Sequence, residues 1–80
     1  MPSTSVTVRF WAGARRAAGR AEETLTCTSL AEVRAVLSAR PPLTDLMVVA
    51  SVLVDGQAAH DDTRLAPGAV IDILPPFAGG

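Results

Sequence analysis

Several residue types are scarce or missing in this sequence of 80 residues: it has no lysine, one cysteine (Cys27) and one histidine (His60). Without lysine these residues cannot form a Schiff base or a lysine-containing phosphate loop, or accept another copy of the chain through a side-chain amide. One cysteine excludes an internal disulfide, and one cysteine with one histidine cannot make a structural zinc site or a four-cysteine iron–sulfur cluster. We therefore expect no metal site in these residues.

Net charge and long apolar runs are also lacking. Seven arginines and eight acidic residues give a net charge of −1, whereas nucleic-acid binders normally carry a basic excess. The longest apolar run, from Leu46 to Val54, is about half of a membrane span. The first residues have neither the basic nor the apolar part of a signal peptide. We expect a cytoplasmic protein with no nucleic-acid or membrane partner.

The composition that is present indicates one small folded domain, because 49% of the residues are hydrophobic and only 19% are charged. Alternation of apolar and polar residues, bounded by turn residues, predicts strands. The predicted strands are Ser5–Trp11, Glu22–Thr28, Val48–Val54, Gln57–Ala59 and Val70–Leu74. Residues 12–20 are predicted to be a loop, and residues 43–47 a connecting loop or a short turn of helix.

The clearest helix signal begins at Ser29, which with Glu32 fits a capping box. Apolar residues follow at helical spacing, and Pro41-Pro42 is expected to end the helix. The predicted helix is Leu30–Ala39.

This order, β-β-α-β-β-β, predicts an α+β fold of the β-grasp (ubiquitin-like) type, with one mixed sheet covered on one face by one main helix. A ferredoxin-like fold would need a second helix. The first and last strands should then be parallel neighbours in the centre of the sheet, with Arg9 near Asp72 and Trp11 near Leu74 on the uncovered face. The domain is predicted to span residues 1–74.

Residues 75–80 read Pro75-Pro76-Phe77-Ala78-Gly79-Gly80 and are predicted to form an extended tail, because two prolines cannot continue a central strand. The two glycines lack side chains, so they could pass through a narrow tunnel and present a bare carboxylate at its far end. A large aromatic residue just before small ones is unusual for a frayed terminus.

With this terminus, the Pro-Pro before it and the segment Phe10-Trp11-Ala12-x-x-Arg15, the chain resembles the ubiquitin-like sulfur carriers of the MoaD/ThiS group. Within that group it is most similar to the small subunits of molybdopterin synthase. The resemblance covers residues 6–80.

The resemblance implies a sulfur carrier that is not catalytic by itself and binds no cofactor tightly. An E1-like adenylating enzyme would activate the carboxylate of Gly80 with ATP, and a persulfide-bearing sulfurtransferase would supply the sulfur of a thiocarboxylate. The carrier would then dock on the large subunit of molybdopterin synthase, in a heterotetramer of two small and two large subunits. There it would donate sulfur to cyclic pyranopterin monophosphate.

The same resemblance implies that partners bind an apolar surface at the end of the first and last strands. Its expected members are Trp11, Leu74 and Ala58, with the tail beside them. Arg15, at the arginine position of the same pattern, is a further partner-binding candidate that could pair with an acidic group or simply be solvated. The adjacent Asp61 and Asp62, next to His60, are interpreted as a solvated turn and not as a metal site.

Three alternatives stay open on the sequence. The chain could carry sulfur for another product, such as the thiazole of thiamine, cysteine, or a thiolated metabolite or tRNA. It could be a ubiquitin-like modifier that is conjugated through Gly80 to lysines of target proteins. It could also be a plain interaction domain with an inert tail.

Overall fold

A computed structural model describes residues 4–76, which form one five-stranded sheet and three helices. The strands are β1 Ser5–Phe10, β2 Glu22–Thr26, β3 Ser51–Val54, β4 Gln57–Ala58 and β5 Val70–Leu74, and the helices are α1 Gly13–Ala18, α2 Leu30–Ser38 and α3 Pro41–Val49. The sheet order is β2-β1-β5-β3-β4. All neighbouring pairs are antiparallel except the central pair β1–β5, which is parallel. The predicted β-grasp fold and its central parallel pair are confirmed.

The core lies between one face of the sheet and the helices, because every second residue of the central strands points to that side. Val6, Val8 and Phe10 of β1 and Ile71 and Ile73 of β5 are at most 1% exposed. The helices, the loops and β3 add a further set of buried apolar residues: Ala14, Cys27, Leu30, Val33, Leu37, Leu43, Met47, Val52, Leu65 and Ala69. The opposite face, which we call the open face, carries the alternate residues of each strand.

The helix predicted at Leu30–Ala39 is confirmed, with Ala39 as its C-cap. The Ser29 hydroxyl accepts a hydrogen bond from the Glu32 N–H at 3.3 Å. The Glu32 carboxylate reaches back one residue further than a standard capping box, to the N–H of Thr28 at 2.7 Å. The hydrogen bond from the Thr28 hydroxyl, followed by that from the Thr28 N–H, holds the pKa of Glu32 below its usual value.

Of the two alternatives for residues 43–47, the helical one is correct, but the helix α3 is longer than a single turn and extends from Pro41 to Val49. The predicted start of the third strand at Val48 was therefore wrong. The two prolines end α2 and also occupy the first positions of α3, where a missing N–H costs nothing. Leu43 and Met47, four residues apart, are buried on the inner side of this helix, and β3 begins only at Ser51.

The predicted loop at residues 12–20 was also wrong, because it contains the short helix α1. Alanine has the highest helix propensity, and Ala14 is completely buried, so small side chains let this helix lie close to the core. Gly19 ends it in the left-handed conformation at φ 79°. The remaining differences are shorter strands: β1 ends at Phe10, β2 at Thr26 and β4 at Ala58.

Candidate functional site

Trp11 directly follows β1 at the edge of the open face, and its large aromatic side chain is 40% exposed. Its backbone N–H donates to the carbonyl oxygen of Ile73 at 3.2 Å, so it continues the pairing between β1 and β5 by one residue. Its carbonyl oxygen accepts from the N–H of Ala14 at 2.9 Å, which closes a tight turn into α1.

Asp72, on β5, forms the centre of a polar cluster on the same face. Its register partner on β1 is Arg9, as predicted, and Nε and Nη2 of Arg9 donate to the two carboxylate oxygens at 2.7 and 3.0 Å. The indole Nε1 of Trp11 donates to Oδ1 of Asp72 at 2.9 Å. The Arg9 guanidinium also lies 5.4 Å from the centre of the Trp11 ring, within cation–π distance.

The cluster buries a charged group, since Asp72 is only 6% exposed. The hydrogen bonds from Arg9, followed by that from Trp11, lower the pKa of this carboxyl group although burial opposes them. Asp72 is therefore an ionised carboxylate held in place by three donor groups.

One row of directly paired residues crosses the open face from edge to edge. It passes through Glu22, Arg9, Asp72, Leu53 and Ala58, each opposite the next on the neighbouring strand. The β2–β1–β5 half of this row is charged, and its β3–β4 half is apolar. Asp72 stands at the boundary between the two halves.

The residues predicted to bind partners lie on different elements of the fold. Leu74 is the last residue of β5 and is half-buried, whereas Ala58 is exposed on the edge strand β4. Arg15 is exposed on α1 and makes no ion pair with another described residue. Leu74 and Trp11 therefore belong to the same end of the central strand pair, while Ala58 lies two strands beyond β5.

The tail begins at this end of the sheet. Pro75 is half-buried and Pro76 is exposed. Phe77, Ala78, Gly79 and Gly80 lie outside the described residues, so the predictions for them stay predictions.

The structure offers little acid–base or metal chemistry elsewhere in residues 4–76. His60 is exposed, and Asp61 forms an ion pair with Arg34. Burial, with a smaller contribution from Glu32, raises the pKa of the Cys27 thiol. Because the thiolate is the nucleophilic form, this thiol is less reactive than an exposed cysteine. No group of three histidine, cysteine or acidic residues in this part of the chain lies close enough to hold a metal ion.

A shallow groove of about 380 Å³ lies beside β4 and is lined by Val54, Asp55, Gln57, Ala58, Ala59, His60 and Thr63. It is three strands away from Arg9 and Trp11. None of the helices described between residues 4 and 76 is long and apolar enough to cross a membrane.

Sequence reasoning missed the polar cluster centred on Asp72. It placed Asp72 outward and near Arg9, but it predicted neither the burial of the carboxylate nor its bond to Trp11. The signal was present, since parallel pairing of β1 and β5 brings Arg9, Trp11 and Asp72 onto one face.

The class of protein follows from this architecture, which is a β-grasp domain with an exposed aromatic residue beside the origin of its C-terminal segment. The family model of the ThiS family matches residues 8–80. The chain therefore belongs to the ThiS/MoaD family of ubiquitin-like sulfur carriers.

Solved structures of both carriers and modifiers are similar to the chain. A chain in the complex of subunits 1 and 2 of molybdopterin-converting factor from Helicobacter pylori is 27% identical, with a TM-score of 0.80 over 96% of this chain and 100% of that one. Small archaeal modifier protein 1 from Methanosarcina acetivorans is 25% identical, with a TM-score of 0.81 over 100% of both chains. The same protein from Haloferax volcanii, at 22% identity and a TM-score of 0.78 over 95% and 99%, shows the fold alone. No curated protein sequence matches the chain.

Proposed function

We propose that the chain is the sulfur-carrying small subunit of a molybdopterin synthase, with the thiocarboxylate on Gly80. An E1-like enzyme adenylates the Gly80 carboxylate with ATP, and pyrophosphate leaves. A sulfurtransferase persulfide supplies the sulfur that replaces AMP, and a reductant frees the thiocarboxylate from the transferase. The thiocarboxylate then donates its sulfur to cyclic pyranopterin monophosphate in the large subunit.

The observation that carries this proposal is that an exposed aromatic residue and the origin of the tail lie at the same end of the central strand pair. Trp11 is hydrogen-bonded through its backbone to Ile73, two residues before Pro75. A partner that binds Trp11 and Leu74 thereby also receives the first residues of the tail. The likeness to a chain that forms a complex with a second converting-factor subunit supports this assignment, and the family match extends to Gly80.

The described residues also support a carrier that depends on its partners for catalysis. General acid–base work needs a positioned, titratable group near the reacting atom. Here Asp72, Glu23 and Asp61 are engaged with arginines, and Cys27 is buried. The partner would supply orientation and electrostatic stabilisation to a group at the end of a thin arm.

The test is sulfur transfer by the purified chain in the presence of the adenylating enzyme, sulfurtransferase and large subunit from the same organism. A thiol-specific alkylating reagent should add one label at the C-terminus after ATP-dependent sulfuration, located by mass spectrometry of the terminal peptide. The Cys27→Ala variant is the matched background, because there the thiocarboxylate is the single group left to label. If this labelled species forms but yields no molybdopterin with the large subunit, the assignment to molybdopterin synthase is wrong.

A second candidate, a protein modifier conjugated through Gly80, is supported by the likeness to a small archaeal modifier protein over the full length of both chains. It predicts amide-linked adducts on lysines of other proteins that survive denaturing electrophoresis and reducing agent. A sulfur carrier instead gives a thiocarboxylate that is consumed and regenerated.

A further inference from the structure

Trp11, the single tryptophan of the chain, is held on the open face through its side chain. Its indole N–H is bonded to Asp72, and the Arg9 guanidinium that lies against its ring is bonded to the same carboxylate. Carboxylate, guanidinium and indole therefore form a closed cluster. The rotation of the indole cannot change without breaking the bond to Asp72.

The backbone next to Trp11 is constrained as well, through an independent feature. Ala12 has φ 47° and ψ −122°, a conformation that residues with a Cβ atom rarely adopt. Such strain persists where the surrounding structure imposes it, and it is concentrated at functional sites. Here it belongs to the tight turn that the Trp11 carbonyl oxygen and the Ala14 N–H close.

We propose that Asp72 is a positioning residue, which fixes Trp11 as a rigid anchor for the large subunit; this inference rests on the proposed function. Aromatic residues dominate the binding energy of many interfaces. A side chain that is already immobile before docking loses less entropy when its partner arrives. Asp72 itself is covered by Arg9 and Trp11, so it acts through Trp11 and not by direct contact.

Stability alone is a poor reason for a buried carboxylate at this position. A buried ion pair is often no more stabilising than apolar residues of similar volume, and Asp72 is flanked on β3 by Leu53. The bond to the indole is the property that an apolar residue could not replace.

The chain contains a matched control on the helix-covered side of the sheet. There Glu23, opposite Val8, accepts bonds from Nη1 and Nη2 of Arg40. The side chains of Asp72 and Glu23 are 8% and 9% exposed, and their arginines 44% and 38%. The two ion pairs have the same chemistry and burial, but the Glu23 pair has no hydrogen bond to a tryptophan.

The experiment compares Asp72→Ala, Asp72→Asn and Glu23→Ala in the full chain. The first measurement needs no partner: Trp11 emission and anisotropy report how rigidly the indole is held. The second is the Kd for the large subunit of molybdopterin synthase from the same organism. Urea unfolding of each variant corrects the Kd for the folded fraction.

We expect Asp72→Ala to lower the Trp11 anisotropy and to raise the Kd about 3- to 10-fold over that of Glu23→Ala, the range expected from mobilising one large side chain. Asp72→Asn keeps an acceptor oxygen for the indole and should recover most of both properties. If Asp72→Ala does not fold, Asp72→Leu, an apolar side chain without an acceptor for the indole, is compared with Glu23→Leu, and only Asp72→Leu should lower the anisotropy of Trp11.

Two results would overturn the inference: unchanged Trp11 anisotropy in Asp72→Ala, or equal Kd values for Asp72→Ala and Glu23→Ala at equal folded fraction. If the unaltered chain does not bind the large subunit, the proposed function fails and the docking role of Trp11 fails with it. The anisotropy measurement still decides separately whether Asp72 holds Trp11.

Discussion

Arg9 and Asp72 are 63 residues apart in the sequence but lie directly opposite each other on the parallel strands β1 and β5, joined by two hydrogen bonds. Their pairing ties the first strand to the last. It thereby keeps the turn that carries Trp11 next to the point where the C-terminal tail begins. One strand register therefore links the proposed anchor for a partner, Trp11, with the strand from which the tail continues.

Acid should weaken this link. The pKa of Asp72 is lowered in the folded state, mainly by the hydrogen bonds from Arg9. A group of this kind stabilises the fold above its unfolded pKa, near 3.9, and the contribution is lost as the pH falls through the lower folded pKa. We expect the free energy of unfolding to fall as the pH drops below about 5, and more steeply than in Asp72→Asn.

Urea unfolding at a series of pH values checks this prediction, with the emission of Trp11 as a local probe. Arg9 on β1 is the charged group that contacts Asp72, and Glu22 on β2 in turn acts electrostatically on Arg9. On β3 the residue opposite Asp72 is the uncharged Leu53. Arg40 also lowers the pKa of Glu23, so the stabilising contribution of Glu23 is lost over a similar range of acidic pH. The difference between the chain and Asp72→Asn therefore isolates Asp72, and identical profiles would contradict the assignment.

Trp11→Ala should weaken binding to the large subunit more than it weakens the fold. A central aromatic anchor costs about 2 kcal/mol or more in binding when truncated. The domain keeps the Arg9–Asp72 pair, and Trp11 is outside the core. Val48→Ala is the control, because Val48 is an exposed apolar residue (81%) on α3. Calorimetric titration measures the change in binding, and thermal unfolding measures the change in stability. If Trp11→Ala unfolds the domain but binding per folded molecule is intact, Trp11 supports the fold and not the interface.

Ala12→Gly should stabilise the domain by about 1 kcal/mol. The positive φ of Ala12 costs on the order of 1–3 kcal/mol for a residue with a Cβ atom, and the greater freedom of glycine in the unfolded chain offsets part of the relief. Ala14→Gly is a useful contrast, since Ala14 lies inside α1 and is buried, so the same substitution should destabilise there. Denaturant midpoints measure both, and a destabilised Ala12→Gly would show that the turn is not strained.

Gly79→Val should block sulfuration without changing the fold. A β-branched side chain widens the arm immediately behind the reacting carboxylate and restricts the local backbone. The core residues lie between Val6 and Ile73, so circular dichroism and the melting temperature should not change. Deletion of Gly80 should abolish sulfur transfer and likewise leave the melting temperature unchanged. A Gly79→Val variant that is sulfurated and transfers sulfur at the normal rate would show that the partners do not need a terminus without side chains.

The sequence by itself determined the elements that have local signals. Alternation marked β1 and β5, and the pair Ser29 and Glu32 marked the start of α2, because strand periodicity and helix capping depend on neighbours a few residues away. Together with the predicted strands β2, β3 and β4, their order was enough to predict the β-grasp fold, although α1 and most of α3 were missed.

Only the tertiary structure decided the identity of α1, α3 and the cluster around Asp72. The apolar run that ends α3 is compatible with strand or helix, and burial of Leu43 and Met47 on one side selected the helix. The alanines of α1 have no apolar period of their own, and Ala14 reaches the core through packing. Asp72 is buried and bonded to Trp11 because two strands from opposite ends of the chain pair in one register, a contact that no local pattern specifies.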